Sequence, residues 1–157
     1  MSIKNIRPNK KSGFKQGYYK PQYEKKYIGK TPIIYRSSWE YKFMVWCDNN
    51  ENVEKWASEP VEIKYKSRKD NKIRKYYPDF YYKMGDDEYL VEIKPKAQIT
   101  YPKPPTKNSK KALESYKFLC EAYVTNTDKY IAAKDYCEGR KWKFIVLTEE
   151  TIGNGLR

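Results

Sequence analysis

The sequence contains no histidine. That absence removes the Ser-His-Asp triad, the Cys-His pair, His-ligated zinc and the histidine-dependent metal nucleases. Acid–base chemistry is left to carboxylates, lysine, tyrosine or water activated by a metal. Cysteine is scarce too. Cys47, Cys120 and Cys137 are an odd number with no C-x-x-C pair, which argues for three buried free thiols rather than a disulfide framework. No run of eighteen apolar residues occurs, so no transmembrane helix is expected. The opening residues, Met1 to Arg7, lack the apolar stretch of a signal peptide. Acid is also in deficit: Lys and Arg number 33 against 20 Asp and Glu, a formal net charge of +13. A field of that sign attracts polyanions, and without an apolar anchor nucleic acid is the better fit than lipid.

The positive charge is uneven. Residues 1–30 hold Lys4, Arg7, Lys10, Lys11, Lys15, Lys20, Lys25, Lys26 and Lys30 against one acid, Glu24, with Phe14, Tyr18, Tyr19, Tyr23 and Tyr27 interleaved. This reads as a basic aromatic arm. Such an arm could grip phosphates and stack on bases, dock on a protein, or stay solvated. Residues 31–157 read as one domain.

Within that domain Ser37 and Glu40 form a capping box that opens a helix, and Trp39, Phe43, Trp46 and Cys47 recur at helical spacing. Alternation predicts strands over 60–66, 73–82 and 88–94, joined by turns at 70–72 and 84–87: an antiparallel three-strand meander. Residues 52–56 are left as a short strand or loop. Four prolines keep 95–106 a loop. Asn108 or Ser109 can cap a helix running to Tyr123, interrupted at 125–127 and resumed over 128–137, with Gly139 as its stop. Trp142 to Leu147 is a last strand, placed beside 88–94 by the helical crossover. The class is α/β (α+β), a central mixed sheet flanked by helices.

The chemistry concentrates on 88–96. Strand side chains alternate faces, so Glu92 and Lys94 share one face while Val91 and Ile93 take the other. Asp79 precedes on the neighbouring strand. Two carboxylates can converge on a Mg²⁺ ion, with the backbone carbonyl of Ile93 as a third oxygen and Mn²⁺ as a substitute. Lys94 would orient or deprotonate the attacking water, or stabilise the crowded phosphorus. Glu40 could add a ligand from the helix. Each residue also has a plain reading: Glu40 as a cap, Asp79 as a turn residue, Glu92 and Lys94 as a solvated face. Glu59 is a further acid that could approach the metal, or simply a polar residue before Pro60.

Pro78-Asp79 followed by Glu92-Ile93-Lys94, with Glu40 on a preceding helix, resembles the PD-(D/E)xK nuclease superfamily over about residues 33–150. The resemblance implies a restriction-endonuclease-like core and an active site of Glu40, Asp79, Glu92 and Lys94. Tyr35-Arg-Ser-Ser-Trp-Glu40, Trp56-Ala-Ser-Glu-Pro60, Tyr77-Pro-Asp-Phe80 and Val91-Glu-Ile-Lys-Pro-Lys96 also resemble the head-completion nucleases of T-even-type phages. Those are similar in turn to TnsA-type transposon endonucleases and to phage Holliday-junction endonucleases. The likeness implies a Mg²⁺-dependent DNA endonuclease acting on packaged DNA ends late in head assembly. Head or neck proteins would be its partners, and the host cytoplasm or the virion its place. Two-strand cutting would favour a homodimer or a partner nickase. Arg36 and Ser37 at a helix N-terminus, Gln98, and Lys96, Lys103 and Lys107 around the following loop are candidate DNA contacts. The rival reading is a non-catalytic DNA-binding adaptor of the phage head or neck.

Overall fold

The computed structural model describes residues 16–153. Helix α1 (Ser38–Asn49) starts where the capping box requires: the Glu40 N–H donates to Ser37 Oγ at 3.1 Å, and Glu40 Oε2 accepts the Arg36 N–H at 2.8 Å. Truncating Ser37 to alanine is expected to cost about 1 kcal/mol of stability, read as a shift in urea midpoint. Phe43 and Cys47 are buried on the inner face of α1; Trp39 and Trp46 pack at its margin.

The main sheet has the order β3 (Val53–Ser58), β6 (Phe80–Met84), β7 (Asp87–Ile93), β8 (Lys143–Leu147). The first three strands are antiparallel, and β8 runs parallel to β7. The sheet is mixed, as expected, and the expected strand over 88–94 takes its place in it as β7, but the first member of the antiparallel trio is β3 rather than 60–66, and only the later part of 73–82 joins it. Of the two readings for 52–56 the strand is the one found: β3 lies at the edge of the sheet. Residues 63–66 and 73–76 form β4 and β5, a separate two-stranded sheet. The expected strand over 73–82 is two strands broken at Pro78, a buried residue with no N–H to give a ladder. Gly85 turns β6 into β7 with φ +60°, where a side chain would be strained.

Beyond β7 a short helix, α2 (Lys96–Ile99), lies inside the expected loop. Helix α3 (Lys110–Glu138) then runs without interruption from its Ser109 cap to Gly139. The stretch at 125–127 stays helical because its polar groups find partners: Asn126 Nδ2 donates to Gln98 O at 3.2 Å and Thr127 Oγ1 to Tyr123 O at 2.7 Å. Helix α4 (Glu149–Gly153) closes the described chain.

Two apolar cores lie on opposite faces of the sheet. One holds Phe43, Met44, Cys47, Trp56, Phe80, Val91 and Ile93 under α1. The other holds Ile63, Tyr65, Tyr76, Leu90, Ala133 and Cys137 between the sheet, the β4–β5 hairpin and α3. All three cysteines are free; Cys47 and Cys137 are buried and Cys120 half-buried.

The first fifteen residues of the basic segment lie outside the described residues. From Gly17 onward the segment packs on the domain. Strand β1 (Gly17–Tyr19) pairs antiparallel with β2 (Ile33–Tyr35), and Tyr27 packs edge-on against Trp56 with ring centroids 4.7 Å apart. Lys26 Nζ donates to the carbonyls of Asp48 and Asn50 at 2.9 and 2.8 Å, which satisfies the carbonyl end of α1.

Candidate active site

Glu92 on β7 and Lys94 just past its end do lie on one side, their charged groups 3.6 Å apart, but that face is covered. Leu90 is fully buried and Glu92 is 3% exposed, under the hairpin and α3. The Glu92 carboxylate is held at both oxygens. Tyr76 donates its hydroxyl to Oε2 at 2.6 Å, and Lys94 Nζ lies 3.6 Å from Oε1. Asp79, just after the strand break, accepts the Ile93 N–H on Oδ2 at 2.7 Å.

The break has a second consequence. The register Phe80↔Val91, carried two pairs further, sets Pro78 opposite Ile93. Ile93 directs its N–H and carbonyl to that side, and Pro78 has no N–H to give the carbonyl. An oxygen acceptor without a ladder donor therefore lies beside Asp79.

Burial pushes the carboxyl groups of Asp79 and Glu92 above the ordinary range. For Asp79 the neighbouring charges of Glu92 and Glu40 add to the rise, while the Ile93 N–H and Lys94 oppose it. For Glu92 the opposing groups are Tyr76, Lys94 and Lys129. Glu40 is raised as well, chiefly by burial. So the structure brings Glu40, Asp79, Glu92 and Lys94 within electrostatic reach of one another. Among the described residues, however, no three Asp, Glu or Cys side chains gather closely enough to hold an ion as a set. The donors that fit a hard divalent cation are two carboxylates and one backbone carbonyl, an all-oxygen set of the kind Mg²⁺ accepts together with waters.

Arg36, Ser37, Glu40, Ile93, Lys94 and Gln98 line one cleft of about 350 Å³, with the N-terminus of α1 at its edge. Arg36 Nη1 pairs with Glu59 Oε1 at 2.9 Å, which gives the Glu59 carboxylate a partner other than an ion. Glu59 holds a left-handed backbone (φ 45°) and donates its N–H to Asp79 O at 2.8 Å, fixing the start of β6. Lys96 is tied to α4: its Nζ meets Glu150 Oε1 at 2.6 Å and its N–H donates to Glu149 Oε2 at 2.9 Å. Lys103 and Lys107 are exposed on the loop between α2 and α3.

A model of the TnsA-like endonuclease N-terminal family matches residues 50–149. The head completion nuclease of Enterobacteria phage T4 is 36% identical over 140 residues, 87% of this chain and 92% of that protein. This chain belongs to the TnsA-like endonuclease family. It is a nuclease of the type that includes the T4 protein. Asp79, Glu92 and Lys94 lie inside the matched segment; Glu40 lies before it but inside the T4 likeness, which covers 87% of this chain. No solved structure matches the chain significantly.

Two residues at the site were not singled out from sequence: Tyr76 and Lys129. Tyr76 sat unremarked in a tyrosine-dense strand. Lys129 shares the inward stripe of α3 with Asn126, Ala133 and Cys137, all buried. A lysine where that periodicity asks for an apolar residue was the available signal.

Proposed function

We propose that this nuclease is a Mg²⁺-dependent DNA endonuclease of phage head completion, acting on packaged DNA ends. The observation that carries the reading is buried Glu92 with half-buried Asp79 and Lys94 beside it, backed by the Ile93 carbonyl, which has no ladder donor opposite it. Asp79, Glu92 and the Ile93 carbonyl would hold the ion, which when bound supplies Lewis acidity and charge neutralisation at the phosphate. Lys94 holds the attacking water by hydrogen bond and faces the negative charge that grows on the phosphate oxygens. Glu40, engaged with the Arg36 N–H, keeps the N-terminus of α1 at the rim, where its free N–H groups and Ser37 favour a DNA phosphate. Arg36, Gln98, Lys103 and Lys107 extend that phosphate-binding surface; Lys96 contributes through its placement of α4. The net charge of +13 favours DNA as a whole. No helix among the described residues is long and apolar enough to cross a membrane. Head or neck proteins as partners, the host cytoplasm as the place of action, and a pair of copies for two-strand cutting complete the proposal. The family membership counts against a non-catalytic adaptor.

Plasmid nicking in Mg²⁺ or Mn²⁺, abolished by chelation and by Asp79→Asn, is the expected result. A wild-type protein inert on every DNA form with both ions would end the proposal.

The raised carboxyl pKa values add a test without DNA. A carboxyl whose pKa is raised by folding favours the folded state fully at acid pH. That contribution fades as pH climbs from the unfolded value, about 4, through the folded one. The metal-free protein is therefore expected to lose melting temperature as pH rises, through Asp79, Glu92 and Glu40. Ion binding needs the ionised forms. The rise in melting temperature on adding Mg²⁺ should grow over the same interval and vanish in Asp79→Asn. A Mg²⁺ effect independent of pH would contradict it.

A further inference from the structure

The Tyr76 hydroxyl on Glu92 is a contact between separate pieces of the fold. Tyr76 ends β5, in the small sheet, and is 3% exposed; Glu92 is near the end of β7 in the main sheet. The break at Pro78 lets the chain leave one sheet and enter the other, and so brings Tyr76 over Glu92. The tyrosine ring is fixed from both sides of its core. It packs with Ile63, Leu90, Ala133 and Cys137, and Lys129 of α3 holds its ammonium 5.4 Å from the ring centroid.

The hydroxyl takes one oxygen of Glu92, Oε2, at 2.6 Å. The other, Oε1, is turned toward Lys94. Oε2 is taken by a short hydrogen bond, while Oε1 has only the longer 3.6 Å contact with Lys94 and is the oxygen left to offer a cation. We propose that Tyr76 is a positioning residue that makes Glu92 a one-oxygen ligand, and thereby sets a preference for a small octahedral divalent ion over a larger one. The inference rests on the metal-site reading above and adds its selectivity.

The chemistry is that of ligand geometry. Mg²⁺ demands near-octahedral coordination, and a carboxylate giving both oxygens spans too narrow an angle for two of its corners. Ca²⁺ takes six to eight oxygens and accepts a two-oxygen carboxylate readily. Partners behind a ligand fix its orientation, and their loss typically costs about 10–100-fold in affinity. Tyr76→Phe keeps the ring, its packing and the contact with Lys129, and removes only the hydroxyl. Oε2 is then free to turn to the ion.

The experiment is calorimetric titration of the full chain with MgCl₂ and, separately, CaCl₂, without DNA. Melting curves first set a temperature at which each variant is folded. Tyr76→Phe is expected to weaken Mg²⁺ by about tenfold or more and to weaken Ca²⁺ less or strengthen it, so that the ratio of the two dissociation constants shifts by about tenfold toward Ca²⁺. Lys129→Met removes a competing positive charge but leaves the hydroxyl bond. It is expected to tighten both ions in similar proportion and keep the wild-type ratio. If wild type binds neither ion, the metal-site reading fails first and this inference with it. If wild type binds and Tyr76→Phe keeps the ratio, the metal site stands and the role of Tyr76 is overturned. A ratio shifted as far by Lys129→Met as by Tyr76→Phe would assign selectivity to charge, and overturn it as well.

Discussion

Lys94→Ala is expected to lower the rate of DNA cleavage by roughly a hundred- to ten-thousand-fold while leaving Mg²⁺ affinity unchanged or slightly improved. The split follows from where the lysine sits. Its backbone N–H donates to Leu147 O at 3.0 Å, so the parallel partner strand fixes its position beyond the end of β7. Its side chain is 27% exposed and reaches back to within 3.6 Å of Glu92 Oε1. The ammonium therefore stands at the mouth of the cleft beside a proposed ion ligand, without being a ligand itself. Removing it deletes the proposed hydrogen-bond donor to the reacting phosphate and a positive charge next to Glu92. The first change slows chemistry; the second favours a cation. Asp79→Asn differs in kind, because it takes away a proposed ligand and should lose ion binding and cleavage together. Lys94→Arg keeps the charge but substitutes a longer planar fork for a compact ammonium, and is expected to remain strongly impaired. Single-turnover rates and calorimetry on the same preparations separate these cases. Cleavage by Lys94→Ala within tenfold of wild type would remove the lysine from the proposed chemistry.

The same geometry shows what the sequence could disclose. The capping box at Ser37 and Glu40 is local, needing only three residues of spacing, and it was readable. So was the side-chain alternation of β7, and with it the placement of Glu92 and Lys94 on one face. The parallel β8 followed from an apolar run after a helical crossover. The break between β5 and β6 was not readable as a break, because tyrosines at 76, 77, 81 and 82 continue an apolar pattern straight through Pro78. Strand β3 was half-hidden for the opposite reason. Trp56 and Ala57 are both buried although they point to opposite faces, so the strand shows no clean alternation. The 125–127 stretch argued for a helix interruption on local propensity, and tertiary partners on Gln98 and Tyr123 overrode it. Tyr76 and Lys129 depend on long-range packing of a hairpin and a helix over the sheet. Nothing in their local sequence names Glu92 as the partner. The nature of Glu92's face was illegible on the same ground: an E-x-K pair looks like a solvent face until the elements that cover it are known.

Asp48→Ala is expected to cost roughly 3–5 kcal/mol of folding stability, the largest loss predicted for any change away from the site. Asp48 is 1% exposed at the last turn of α1, where the helix dipole disfavours an acid. Its carboxylate is retained by donors from the segment before β2. Oδ2 accepts the Tyr19 hydroxyl at 2.8 Å and the Gln22 N–H at 2.7 Å, and Oδ1 accepts the Tyr23 N–H at 3.0 Å. Alanine would leave all three donors in part-buried positions with no acceptor. Burial and the Asp48 charge also push the Tyr19 hydroxyl above the usual phenol range, so it remains a donor throughout the neutral range. The bond between these two side chains can be isolated by a double-mutant cycle. Tyr19→Phe alone should cost less, because Gln22 and Tyr23 still hold the carboxylate. Tyr19→Phe added to Asp48→Ala should cost little more, because its partner is already gone. The readout is chemical denaturation, with limited proteolysis between residues 16 and 31 as a local probe. Additive costs would show that the hydroxyl and the carboxylate act separately. A coupled result would mean that the basic segment from Gly17 to Tyr27 is held by the same helix that carries Glu40 at its other end, so loosening Asp48 should slow cleavage without touching a proposed ligand.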